Sequence, residues 1–101
     1  MAQYMRRLRD IKAILARHKK ELAGKFSVKK IGIFGSWVRD EQKKKSDIDL
    51  LVELKEPVSL LGIVRLENHI SELLGAKVDL VPKKDIRPEL KEIILNEAVY
   101  I

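Results

Sequence analysis

Cysteine is absent from the 101 residues, which excludes disulfides and thiolate metal sites. Histidine is nearly absent too: only His18 and His69 offer imidazole, so any bound metal should be a hard cation held by carboxylates. No apolar run approaches the length of a membrane span. The first ten residues carry Arg6, Arg7 and Arg9 but no apolar stretch of signal-peptide length. A soluble, cytoplasmic protein is expected. Repeats, low-complexity tracts and linkers are also missing, so residues 1–101 are read as one small domain.

Charge is abundant, at 36% of the chain, with a formal net charge of +6. The excess is local: residues 1–30 hold ten Lys or Arg against Asp10 and Glu21, while the remainder is slightly acidic. A surface that attracts an acidic partner or nucleic acid is one reading of this, and a solvated helix face is the other. Aromatic residues, 5% of the chain, do not interleave with the positive charges, which argues against a platform for stacking single-stranded bases.

Hydrophobic periodicity supplies the elements. Tyr4, Leu8, Ile11, Leu15 and Leu22 recur at helical spacing, with Gly24 as a stop. Val28 to Phe34 is rich in β-branched residues and reads as a strand. Gly35 and Ser36 then turn the chain, and Ser36 suits the N-cap of a short helix over Trp37 to Glu41. A polar loop with Lys43, Lys44, Lys45 and Ser46 leads to a second strand, Asp47 to Leu54. Ile63, Leu66, Ile70 and Leu73 mark another amphipathic helix, closed by Gly75. Lys77 to Val81 is a short third strand ended by Pro82. Leu90, Ile93 and Ile94 give a last helix, with Pro88 in its first turn. The order α-β-α-β-α-β-α predicts a small α/β sandwich with helices packed on a three-stranded sheet.

The second strand is the most informative segment. Alternation puts Asp47, Asp49, Leu51 and Glu53 on one face and Ile48, Leu50, Val52 and Leu54 on the other, which must face the core. Asp47 and Asp49 then stand with Cα atoms about 6.5–7 Å apart. Like charges this close repel, and a divalent cation such as Mg²⁺ would resolve the repulsion. An incidental Asp-x-Asp at an exposed strand end is the plainer alternative. Gly35-Ser36 leaves the first strand ten residues earlier. Glycine lets a phosphate approach the backbone, and the N–H groups opening the next helix would face that anion; an ordinary strand-to-helix turn would look the same. Asp79 interrupts the apolar run Val78-Asp79-Leu80-Val81, where a charge calls for a metal or for an ion pair with a lysine. Gly-Ser at this distance before Asp-x-Asp arises by chance in roughly one chain of this length in a thousand, so the coincidence is informative.

Gly35-Ser36, ten intervening residues and Asp47-Ile48-Asp49 resemble the signature of the DNA polymerase beta-like nucleotidyltransferase superfamily. The chain is most similar to its minimal nucleotidyltransferase (MNT) family, over nearly its whole length. Arg39 matches a basic residue common three places after the serine, and Asp79 lies where a third carboxylate is expected. Trp37 stands where the family often has a small or basic residue. The resemblance implies a small nucleotidyltransferase-type fold with a mixed sheet. It implies Asp47, Asp49 and Asp79 as catalytic residues holding two Mg²⁺ ions, with Asp79 at the ion nearest the acceptor. Gly35, Ser36 and Arg39 would bind the phosphates of ATP, with a lysine of Lys43 to Lys45 as a further candidate against the alternative of a solvated loop.

Larger relatives in the superfamily carry further domains for the acceptor, so here the acceptor is expected to arrive on a separate macromolecule. The family's antitoxin-type members imply a partner, a helical HEPN-type toxin, and transfer of AMP from ATP to its hydroxyl group. A non-catalytic module that neutralises the partner by contact is the alternative. Action on RNA is a third reading, supported only by the basic first helix. Self-association is compatible with the apolar content. Tyr4, Trp37 and Tyr100 read as core or interface residues before base-stacking ones.

Overall fold

The computed structural model describes residues 7–43 and 46–101; Tyr4, Arg6, Lys44 and Lys45 lie outside the described residues. Ten elements follow in order: α1 (Leu8–Arg17), α2 (Lys19–Phe26), β1 (Val28–Phe34), a 3-10 turn (Gly35–Trp37), β2 (Ile48–Leu54), α3 (Leu60–Leu74), β3 (Val78–Pro82), a second 3-10 turn (Lys83–Asp85), α4 (Pro88–Glu97) and β4 (Val99–Tyr100).

The sheet has four strands rather than three, in the order β3-β2-β1-β4. β1 runs antiparallel to both β2 and β4, whereas β2 and β3 are parallel and joined through α3, so the sheet is mixed. The added strand, β4, has only two residues, too few for an alternating pattern to show in the sequence. Its place is set by pairing Val99 and Tyr100 with Ile33 and Gly32.

The expected alternation in β2 holds. Ile48, Leu50 and Val52 are buried in one core with Ile11, Leu15 and Leu22 of α1 and α2, Ile31 and Ile33 of β1, and Leu66, Ile70 and Leu74 of α3. Leu51 points the other way and is also buried, between register neighbours Gly32 and Val81, outside that core. Gly32 is small for a reason: a Cβ there would stand 3.2 Å from the Tyr100 ring. α3 is the helix most legible in the sequence. Ser59 caps its start by accepting from the Gly62 N–H at 3.1 Å, and Gly75, at φ 65°, closes it.

Three expectations give way. The first helix is two helices, broken at His18, and it continues through Gly24 to end at Ser27 in the left-handed region. No proline marks the break. Its surroundings are tertiary: Glu21 accepts from His18 at 3.3 Å and meets His69 of α3 at 2.6 Å. The helix expected over Trp37 to Glu41 is a single 3-10 turn starting at Gly35, and Ser36 does not cap it. α4 forms as expected but has no buried residue, and Ile93 is 62% exposed. Among the described residues no helix is long and apolar enough to cross a membrane.

Candidate active site

Register carries the acidic residues to one end of the sheet. Phe34, the last residue of β1, pairs with Asp49, and Asp49 pairs in turn with Asp79 on β3. Neighbouring strands lie about 4.8 Å apart, so Asp49 and Asp79 stand side by side on β2 and β3, and Gly35 directly follows the β1 residue paired with Asp49. Asp47 lies just before β2 and is exposed, its carboxylate 3.7 Å from the Lys77 ammonium. Asp49 is only half-buried, and Asp79 is exposed.

Gly35 is bound to this arrangement by space as well as by conformation. Its φ is +82°, in the region that favours glycine, and a Cβ would collide with the Asp49 carboxylate. The first turn therefore packs directly on the central acid. Burial, then the charges of Asp79 and Asp47, hold the Asp49 carboxyl above its ordinary range; Arg39 acts weakly in the opposite sense. Four groups thus leave net negative charge concentrated at Asp49. Among the described residues Asp79 makes no hydrogen bond or ion pair, so the lysine partner that would have explained it is not formed.

A fourth acid joins the site. Glu97, the last residue of α4, accepts a hydrogen bond from the Gly35 N–H through Oε1. Its Oε2 accepts from Arg39 Nη1 at 2.8 Å. Arg39 Nε also donates to Glu41 at 3.1 Å. Sequence reasoning missed Glu97 because it lies 62 residues from Gly35. One signal was available: an acid in the last turn faces the negative end of the helix dipole and needs a cationic or N–H partner from elsewhere.

Trp37 is buried in the core, as expected for packing over base stacking. Tyr100 covers Gly32 and lies under the Lys30 ammonium, 6.0 Å from the ring centre. The Ser36 hydroxyl makes no hydrogen bond among the described residues and remains available to a ligand. Lys43 engages Ser46 through its backbone: its N–H donates to Ser46 Oγ at 2.7 Å and its carbonyl accepts from the Ser46 N–H at 2.9 Å.

The carboxylates suit a hard cation by chemistry: all offer oxygen, and a cation would offset the charge gathered at Asp49. Among the described residues no group of three acidic or histidine side chains is placed to hold a metal ion, so Asp47, Asp49 and Asp79 are not gathered into the three-carboxylate set that was expected.

Comparison with known proteins places these residues in context. Residues 15–101 match the family described as nucleotidyltransferase domain. The chain is 51% identical over 98 residues to MJ1217 of Methanocaldococcus jannaschii, provisionally named a protein adenylyltransferase, covering 96% of this chain and 100% of that one. It is 46% identical to the protein adenylyltransferase MntA of Thermococcus cleftensis over 94 residues, 93% and 95% of the two chains. A solved structure provisionally described as a minimal nucleotidyltransferase superposes with a TM-score of 0.72 at 34% identity, covering 88% and 93%. Two toxin–antitoxin complexes share the fold. One, with AMP-PNP, gives a TM-score of 0.70 at 21% identity over 83% and 69% of the two chains. The other, a tri-AMPylated Shewanella oneidensis HEPN toxin with its MNT antitoxin, gives 0.65 at 17% over 89% and 70%.

Proposed function

This chain belongs to the nucleotidyltransferase domain family, and on that premise we propose that it transfers AMP from ATP to a hydroxyl of a partner protein. It is an enzyme of the protein adenylyltransferase kind, as its relatives' names state. The observation that supports the finer reading is Asp49 in register with Asp79 and packed against Gly35, with Asp47 two residues before it and the Gly35 N–H and Arg39 guanidinium alongside.

The residues divide the work by position. The Gly35 N–H, the Ser36 hydroxyl and Arg39 receive the β- and γ-phosphates, where a backbone donor, a hydroxyl and a planar cation suit phosphate oxygens. Asp47 and Asp49 would hold Mg²⁺, which when bound supplies charge neutralisation and orientation to the triphosphate and its acceptor. Asp79 lies on β3, an edge strand, and its exposure leaves it accessible to an incoming acceptor. Its carboxylate is placed to contribute on that side and to take the proton as the hydroxyl oxygen bonds to the α-phosphorus. The bond from that phosphorus to the β-phosphate bridging oxygen breaks, and pyrophosphate leaves against Arg39 and Gly35. In-line transfer of this kind relies on positioning and electrostatics more than on covalent chemistry by the protein.

The acceptor is a helical HEPN-type toxin, by analogy with the complexes that share the fold, and the setting is the cytoplasm, where ATP is drawn upon. The test incubates the chain with labelled ATP, Mg²⁺ and the product of its neighbouring gene. Label should pass to the protein partner and fall about a hundredfold or more with Asp47→Asn, the scale of losing one charge-stabilising group at a reacting centre. Tight complex formation without label, or label on RNA, would overturn the proposal.

A further inference from the structure

Two of the donors assigned to the triphosphate are already engaged. The Gly35 N–H and Arg39 Nη1 both donate to one carboxylate, that of Glu97, each to a different oxygen. A carboxylate that bridges a backbone N–H and a guanidinium presents oxygens as a phosphate would. Glu97 is also close enough to Asp49 to raise its pKa. A triphosphate cannot share this seat: it needs the same donors and would set its charge against Glu97 and the aspartates.

We propose that Glu97 is a resident anion in the phosphate seat, which the nucleotide must displace and which returns to drive out pyrophosphate. This rests on the nucleotidyltransferase reading above and adds the competitor that sets its affinity. Physical consequences follow at both ends of the contact. At the seat, apparent nucleotide affinity is reduced by the fraction of time that Glu97 occupies it. At α4, eviction breaks the two hydrogen bonds that Glu97 accepts from Gly35 and Arg39, on a helix with no buried residue among those described. The chain beyond stays anchored, because the Ile101 N–H donates to the Ile31 carbonyl at 3.0 Å and Lys19 Nζ to the Ile101 carbonyl at 3.1 Å. Loading of nucleotide is therefore reported on α4, whose outer face exposes Leu90 and Ile93.

Calorimetric titration of a non-hydrolysable ATP analogue with Mg²⁺ into wild type, Glu97→Gln and Glu97→Ala tests this. If Glu97 fills the seat about nine-tenths of the time, both variants bind about tenfold more tightly, and pyrophosphate tightens with them. Unchanged or weaker binding by the variants overturns the proposal, and weaker binding would make Glu97 a nucleotide ligand instead. Hydrogen exchange on wild type gives a reading that needs no variant to fold. The analogue should speed exchange in residues 88–97 of wild type, and protection there would overturn the inference. Absence of analogue binding by wild type and variants alike would instead remove the nucleotidyltransferase reading on which it stands.

Discussion

The two faces of the sheet are built by different rules. Against one face, α1, α2 and α3 lay down a continuous apolar core in which Ile11, Leu15, Ile33, Ile48, Leu50, Ile70 and Leu74 are fully or almost fully buried. At the end of the sheet that carries Asp47, Asp49 and Asp79, acids outnumber the bases Arg39 and Lys77, and the nearby α4 buries nothing completely. The first region holds the fold together. The second costs stability, since like charges in a half-buried place disfavour the state that contains them.

Substitutions should separate the two. Leu50→Ala, in the core strand, should destabilise by about 2–5 kcal/mol, through lost burial and the cavity left behind. Denaturant unfolding measures it. A much smaller loss would mean that the helical face is not the source of stability. Asp49→Asn should do the opposite: abolish transfer while raising the melting temperature at neutral pH by a few degrees. Its carboxyl is held above the ordinary 3.8, first by burial and then by Asp79 and Asp47, so the folded protein prefers this group neutral. Favourable linkage from Asp49 is complete below pH 3.8 and is lost as pH rises through the higher folded value. A fall in melting temperature would blur the contrast.

The smallest effect belongs to Glu21, on the stable side but at its surface. Hydrogen bonds from His18 and then His69 hold its carboxyl below the ordinary 4.5. A depressed carboxyl contributes stability above pH 4.5 that is lost as pH falls through the lower folded value. Melting curves across the acid range should therefore fall more steeply for wild type than for Glu21→Gln. Parallel curves would show that the link between α2 and α3 carries no stability.

Much of this was legible before any coordinates. Ser59 and Gly75 bound α3, the period of two in β2 sorted acid from core, and Gly35-Ser36 with Asp47 and Asp49 pointed to the site. Other features left weaker traces. The break at His18 follows no helix-stopping residue, and β4 is too short to carry a period. Asp79 looked costly because its strand reads as apolar, yet alternation turns it to the exposed face between buried Val78 and Leu80.

Local chemistry along the chain determined most of the elements, the buried face of β2 and which side chains were candidates for the site, because propensity and alternation act between near neighbours. Only the tertiary structure decided how many strands the sheet has, which acids stand in register, and that Glu97 closes on Gly35 and Arg39. Those outcomes depend on strand pairing and on contacts between distant residues. A sequence pattern records which groups are present, but the seat they share exists only once β1, β2, β3 and α4 have come together.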